Sequence, residues 1–367
     1  MEVVTVGNRI IGPGHPCFVV AELSGNHGGD FDEAVALVRA AKEAGADAVK
    51  LQTYTEDTIT LDSDKKWFIV GGANNPRAWK GQTLYELYKK GKTPWEWQPK
   101  LKRLADELGI VLFSTPFDET SVDFLERMRV PCYKIAAYEA TDFVLLRKVA
   151  RTRKPVIISF GYSSEEEIRL ALDTLRRYGA GAIAALHCVT GYAKRPRAAG
   201  MRLANMADME KRFGVAAGFS DNNAGIDVPL MAVAAGAHII EKHLIRERSS
   251  GGPDARFSLE PEELRTLISR IRALERGEEK ITVSRSALGA PHYGPATALE
   301  RYNMRWRRSL FSGRDIKKGE RFTKENVRDV RPAFGLPTKH YDEVLGKKAT
   351  RDIPFATPLS WGMVEKN

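Results

Sequence analysis

Between Cys17 and about residue 275, eight short apolar runs alternate with helix-patterned stretches, and few architectures accommodate that rhythm. The runs are CFVVAEL (17–23), AVKLQTY (48–54), IVLFST (110–115), CYKIAA (132–137), PVIISF (155–160), AIAALHC (182–188), VAAGFS (215–220) and HIIEKHL (238–244). Their near-continuous apolar character fits strands buried on both faces, as in a parallel sheet covered by helices. The first intervening stretch carries Phe31, Ala34, Val35, Val38 and Ala41 at the three-and-four spacing of one buried helix face. Eight such units over roughly 250 residues predict a (β/α)8 barrel. The competing doubly wound sheet would carry a glycine-rich dinucleotide loop after its first strand, and ELSGNHGG does not fit G-x-G-x-x-G.

The chain divides into a barrel over residues 1–280, a linker over 281–304 that loses the periodicity, and a compact β-rich module over 305–367. That module has short strands, K-K-G-E and F-G-L-P turns and a helix start at Thr323. The 367 residues are 43% apolar and 28% charged, as in ordinary globular proteins. The stretch 228–240 is too short to span a bilayer, and the first residues lack the pattern of a signal peptide. Cys17, Cys132 and Cys188 are few and scattered, which points to reduced thiols and a cytoplasmic protein rather than a disulfide framework. Lys and Arg outnumber Asp and Glu by 57 to 47. The densest basic run, RYNMRWRRS (301–309), has no nucleic-acid motif beside it, so no nucleic-acid partner is expected. A basic surplus also suits small anionic substrates.

In a barrel of this kind the site lies at the C-terminal ends of the strands. Those ends read Glu22, Lys50 with Gln52, Ser114-Thr115, Lys134, Ser159, His187, Ser220-Asp221-Asn222 and Glu241-Lys242-His243. Lys50, Lys134 and Lys242 offer point charges to phosphate or carboxylate, and the hydroxyls offer directed hydrogen bonds. Glu22 and Asp254 are the acid–base or hydroxyl-binding candidates. His238 begins its strand and is read as structural, whereas His243 ends it and is the candidate ligand. GFSDNN (218–223) admits three readings: half of a metal site, a phosphate loop, or a turn.

ELSGNHGGD, KLQTY, FSTPFDE, YKIA, GFSD, IEKH and GGPDARFSLEPEEL, in this order, resemble the sialic acid synthase family of nonulosonic acid synthases. WKGQTLYELYKKGKTPWEWQP (79–99), FDETSVDFLE (117–126) and RDIPFATPLSW (351–361) look like its pseudaminic acid synthase branch. The resemblance covers nearly the whole chain. It implies a barrel followed by a small antifreeze-like (SAF) β-clip domain, in a domain-swapped homodimer whose small domain caps the partner's barrel. It also implies condensation of phosphoenolpyruvate with an open-chain N-acylated amino sugar, releasing phosphate, with no nucleotide cofactor. By the family motifs Lys50, Thr115, Lys134, Ser159 and Ser220 match phosphoenolpyruvate-binding positions, and Glu22, Tyr192 and Asp254 match positions at the sugar and reacting centre. Arg331 matches the arginine that reaches the partner's sugar N-acyl group, and Glu241 and His243 belong to an E-K-H motif whose histidine binds manganese or magnesium.

The chain also departs from the pattern. Asn222 stands where S-D-H-[ST] has its histidine metal ligand, Ala137 replaces a serine, and Ser159-Phe160-Gly161-Tyr162 replaces S-T-G-M, which would bring two aromatic rings near the mouth. An amide oxygen is a neutral ligand, better suited to magnesium than to a transition metal. A weakened metal site and a metal-independent one are both open on these residues. So are an N-acetylneuraminate-type or legionaminate-type acceptor, a related synthase with an unusual sugar acceptor, or, from another class, a catalytically lapsed binding or scaffold homologue.

Overall fold

The computed structural model describes residues 3–71, 79–189, 200–252 and 254–366. Two short strands, β1 (Val4–Val6) and β2 (Arg9–Ile11), form an antiparallel hairpin ahead of the first expected strand. Eight parallel strands then follow: β3 (Phe18–Glu22), β4 (Ala48–Thr53), β5 (Val111–Pro116), β6 (Tyr133–Ile135), β7 (Val156–Phe160), β8 (Ile183–Val189), β9 (Ala216–Asp221) and β10 (Ile239–His243). They close in sequence order, with β10 pairing back onto β3, so the expected (β/α)8 barrel is the observed fold.

Strand parity sorts the side chains. Phe18, Val20, Ala48, Phe113, Cys132, Ile157, Ala184, Leu186, Ala216 and Ile239 fill the barrel interior together with Val4, Val6 and Ile11 of the hairpin. The hairpin thus plugs the end of the barrel opposite the site. Residues of the other parity, such as Val49, Leu112, Ala185, Phe219 and Ile240, pack outward against the helices. Helix starts are set locally. Asp30 caps the helix Phe31–Glu43 through the amides of Asp32 and Glu33, and Ser164 and Glu167 form a reciprocal cap on Glu165–Arg177. Ala34, Leu37, Val38 and Ala41 are the buried face of the first helix, close to the pattern read from spacing.

The linker at 281–304, which loses the periodicity, has structure of its own. It contains short helices at Arg285–Leu288 and Ala298–Asn303 and is tied to the barrel along its length. Ala287 is fully buried, Asn205 exchanges two hydrogen bonds with His292, Gly294 N–H donates to Ser163, and Tyr293 donates to Asp208. Its lack of periodicity reflects anchoring by scattered polar contacts rather than by one apolar face. The C-terminal module pairs β11 (Ser309–Ser312) with β12 (Val327–Val330) around a core of Leu310, Ile316, Phe322, Val327, Val344, Ile353 and Leu359. Phe311, Val330 and Ala356 pack against Leu61, Phe68, Val70 and Leu84 of the long segment after β4, seating the module on its own barrel.

Candidate active site

Inward parity carries Glu22, Lys50 and Gln52, Thr115, Lys134, Ser159, Cys188, Ser220, Glu241 and His243 to one end of the barrel, above the apolar layer. Gly218 is required beneath Ser220: a Cβ there would lie 2.4 Å from the carbonyl oxygen of Ile239. Lys50 is buried, forms an ion pair with Glu22, donates to Thr115 Oγ1 at 3.2 Å and lies 3.7 Å from Glu241. Lys134 donates to Ser159 Oγ at 2.7 Å and lies 3.5 Å from the other Glu241 oxygen, which also accepts from Ser220 at 2.9 Å. Two ammonium groups and the Ser220 hydroxyl therefore converge on one carboxylate, with Thr115 and Ser159 held by the two lysines.

The electrostatics divide the two glutamates. Burial raises the Glu22 carboxyl above its ordinary range, against the pull of Lys50 and with the help of Glu241. Burial acts on Glu241 in the same sense, but Lys134 and Lys50 outweigh it and bring it down to about 2. Burial lowers Lys134. It would lower Lys50 as well, but Glu22 and Glu241 hold that lysine above its ordinary value. Neighbouring carboxyls pushed apart in this way suit one to exchange a proton and the other to remain a fixed charge.

Beside Glu22, Ser24 donates its hydroxyl to Asp254, and Gln52 reaches Glu22 at 3.3 Å and Ser24 at 3.4 Å. His243 Nδ1 stands 3.8 Å from Asp254 Oδ2 and has no hydrogen-bond partner among the described residues, and burial lowers this imidazole to about 4, leaving it neutral. A neutral ring with a free nitrogen facing a carboxylate is a fit for a divalent cation. The Nδ2 of Asn222 donates to Cys188 Sγ at 3.4 Å, so the amide sits on the inner wall beside a thiol that burial raises to about 11. Among the described residues no group of three or more His, Cys, Asp and Glu side chains is gathered tightly enough to hold an ion alone. The residues therefore fit a hard cation completed by water or substrate better than a closed transition-metal site.

Three expectations are corrected. Lys242 does not join the anion cluster. It lies between inward-facing Glu241 and His243, so it points through the wall, where it pairs with Asp221 at 2.7 Å and donates to the Asn223 carbonyl. Asp221 in turn accepts the backbone and side-chain N–H of Asn223, so this outer clamp fixes the turn that presents Asn222 inward. Phe160 packs in the outer core and brings no ring to the mouth, although Tyr162 is buried against Tyr138. His187 likewise faces outward, with Nε2 2.8 Å from the Met201 carbonyl oxygen. Tyr192 lies outside the described residues.

Within this chain Arg331 reaches the mouth of its own barrel, whereas the resemblance implied the partner's. The connector tied along the barrel delivers the module there. Its guanidinium meets Glu139, beyond β6, and the hydroxyl of Tyr88, among the rings of Tyr88, Phe117 and Tyr138. Sequence reasoning missed Glu139, Tyr88 and Arg308. Their partners lie far away in the chain, and no local motif marks them.

The comparisons agree with this architecture. The NeuB family model matches residues 37–281, and the SAF domain model matches residues 307–365. Over 348 residues, 94% of this chain and 96% of the relative, the sequence is 40% identical to a pseudaminic acid synthase of Campylobacter jejuni. A pseudaminic acid synthase of Helicobacter pylori is 39% identical over 354 residues, 96% of this chain and 99% of that one. The crystal structure of the spore coat polysaccharide biosynthesis protein spsE of Bacillus subtilis matches over all of both chains, with a TM-score of 0.82 at 30% identity. A barrel with this polar mouth, a SAF module behind it and relatives similar over nearly their whole length place the chain in the NeuB family.

Proposed function

We propose that the chain is a nonulosonic acid synthase that condenses phosphoenolpyruvate with an open-chain N-acylated amino sugar, a pseudaminic-type precursor above all, and releases phosphate. The observation that carries this reading is the anion clamp of Lys50, Lys134, Thr115, Ser159 and Ser220 beside a carboxyl raised by burial, Glu22. The two lysines and three hydroxyls hold the phosphate and carboxylate of the enol ester in a site shielded from water, where fixed donors act strongly.

Carbon 3 of phosphoenolpyruvate forms the new bond to the sugar's aldehyde carbon. The aldehyde oxygen takes a proton from Glu22 and becomes a hydroxyl. Carbon 2, now electron-deficient, is stabilised by the nearby Glu241 charge until water adds there and returns a proton to Glu22. The tetrahedral intermediate then breaks its bond to the phosphate oxygen, which leaves with the new hydroxyl's proton, and carbon 2 becomes a ketone. One glutamate thus closes its own proton cycle. Asp254 and Ser24 are placed to bind a sugar hydroxyl. A magnesium or manganese ion, if bound, rests on His243 with Asp254 and Asn222, and supplies polarisation of the aldehyde and orientation of water. The three cysteines are free and buried, in keeping with a cytoplasmic enzyme. The domain-swapped homodimer implied by the resemblance belongs to the same proposal.

The test is phosphate release from phosphoenolpyruvate with a panel of N-acylated hexoses, using metal-stripped protein with and without manganese. The panel includes acceptors of the pseudaminic, legionaminic and N-acetylneuraminic types. Release with a pseudaminic-type acceptor is expected. No release with any sugar in either condition would overturn the enzyme reading, and full rate after chelation would remove the metal from it.

A further inference from the structure

Among the described residues, every polar contact of the Arg331 side chain is made with the barrel. Nε and Nη2 donate to the same Glu139 oxygen at 3.0 and 2.5 Å, and Nη1 donates to Tyr88 Oη at 3.0 Å. The ring centres of Tyr138, Phe117 and Tyr88 lie 5.0, 5.5 and 5.7 Å from the guanidinium carbon. The backbone is pinned as well: Arg331 N–H donates to Ile59 at 3.0 Å, and Thr60 Oγ1 donates to the Arg331 carbonyl at 2.9 Å. Glu139 itself is fully buried, and its other oxygen has no hydrogen-bond partner among the described residues.

A guanidinium has five N–H donors. With two given to Glu139 and one to Tyr88, one N–H on each terminal nitrogen is left, and the cage of rings prevents the plane from turning. A planar fork held on one edge presents the rest in a fixed direction, which an arginine on a small appended domain could not do unaided. Glu139 lies five residues beyond Lys134, on the loop that leaves β6. The same strand therefore supports the anion clamp and the arginine.

We propose that Glu139 is the positioning residue of Arg331, fixing the direction in which its free N–H groups meet the acyl carbonyl of the acceptor, so that acyl-group selectivity resides in the β6 loop as much as in the SAF domain. This rests on the acylated-sugar reading of the site. The Glu139 carboxylate meets the guanidinium groups of Arg331 and Arg308. Its removal leaves the chemistry of phosphoenolpyruvate in place and weakens discrimination at the acyl group.

The experiment compares wild type, Glu139→Gln, Arg331→Lys and Arg331→Ala, and the Glu139→Gln/Arg331→Ala double variant, each with an N-acylated acceptor and its hydroxyl analogue lacking the acylamino group. For Glu139→Gln the KM for the acylated sugar is expected to rise about tenfold or more, as for loss of a buried charge pair. The KM for phosphoenolpyruvate and the rate with the hydroxyl analogue should stay within about twofold. The double variant is expected to be no worse than Arg331→Ala, because coupled residues are not additive. Equal losses with both acceptors, or additive losses in the double variant, would overturn the proposal and leave Glu139 a docking contact. A second readout needs no turnover: the 15N–1H signal of Arg331 Nε, assigned by its loss in Arg331→Lys, should be protected from exchange in wild type and broadened in Glu139→Gln. An unchanged signal overturns the contact itself. Wild-type protein that is inactive with every sugar but shows the expected signal change would overturn the acyl-sugar reading while leaving the Glu139 contact standing.

Discussion

Lys134 and Lys242 are both buried lysines near the ends of barrel strands, and their neighbours give them opposite tasks. Lys134 faces the cavity, where burial already lowers its affinity for a proton, so an apolar replacement relieves a cost as well as removing a charge. Lys242 closes a buried pair with Asp221 behind the wall, and neither side chain is exposed. Removing it strands a carboxylate, which costs about 3–5 kcal/mol. Lys242→Met is therefore expected to lower the urea midpoint sharply, and by more than Lys134→Met, after which Glu241 still keeps Lys50 at 3.7 Å. Phosphoenolpyruvate affinity, followed by calorimetry, should fall roughly a hundredfold in Lys134→Met through loss of charge-assisted hydrogen bonds. The reverse pattern would place Lys242 in the site after all. Asn222 allows a second comparison from the same turn. The outer clamp that aims its amide inward is independent of the side chain at 222, so Asn222→His should present an imidazole on the wall that bears His243. Manganese affinity by titration should then rise about tenfold or more, since imidazole is the better ligand for that ion. Unchanged affinity would mean that this position does not face the proposed metal seat.

A strand's two faces can respond differently to pH, and β8 shows how. Cys188 faces the cavity, while His187 faces the helices, near Asn205, Arg202 and the Met201 carbonyl. Burial lowers His187 from 6.5 to about 4. Its folded value is thus depressed, so its contribution to stability is complete above 6.5 and is lost as pH falls through about 4. In that window the unfolded chain binds a proton that the fold excludes, worth up to about 1.4 kcal/mol per pH unit. Urea unfolding of His187→Gln between about pH 6 and 5 should show a slope shallower than wild type by close to one proton, and parallel slopes would refute this. The strands themselves were legible because burial on both faces demands unbroken apolar runs. Parity was legible too: Glu241 and His243 flank Lys242, and a period of two places it on the other face. The β1–β2 hairpin was not, since three-residue strands leave no periodicity, and Val4, Val6 and Ile11 find their partners only inside the closed barrel. The connector escaped for the same reason, because Asn205 and His292 are joined across 87 positions.

The SAF module and the barrel share buried groups that neither could leave unpaired. Arg308 approaches Asp142 at 3.5 Å and Glu139 at 3.9 Å, and it donates to the carbonyls of Thr58 and Asp329. Phe311 and Val330 complete an apolar cluster begun by Leu61 and Phe68. These contacts are drawn within one chain, and an exchange of modules between two chains would reproduce them pair for pair. The difference lies in which chain's Arg331 serves which chain's Lys50. Lys50→Met removes a lysine of the proposed anion clamp from its own barrel, and Arg331→Ala removes the proposed acyl contact wherever that module docks, so each variant alone should be impaired. Co-expressed in equal amounts, an exchanging pair forms heterodimers in which one intact barrel receives one intact arginine. Random pairing in a two-fold dimer would then restore about a quarter of wild-type sites. Recovery near that level, measured as phosphate release at limiting acylated sugar, is the expected outcome of the proposed domain swap. No recovery, with both proteins folded, would show that each barrel is closed by its own module, with Arg331 pairing to the Glu139 of the same chain.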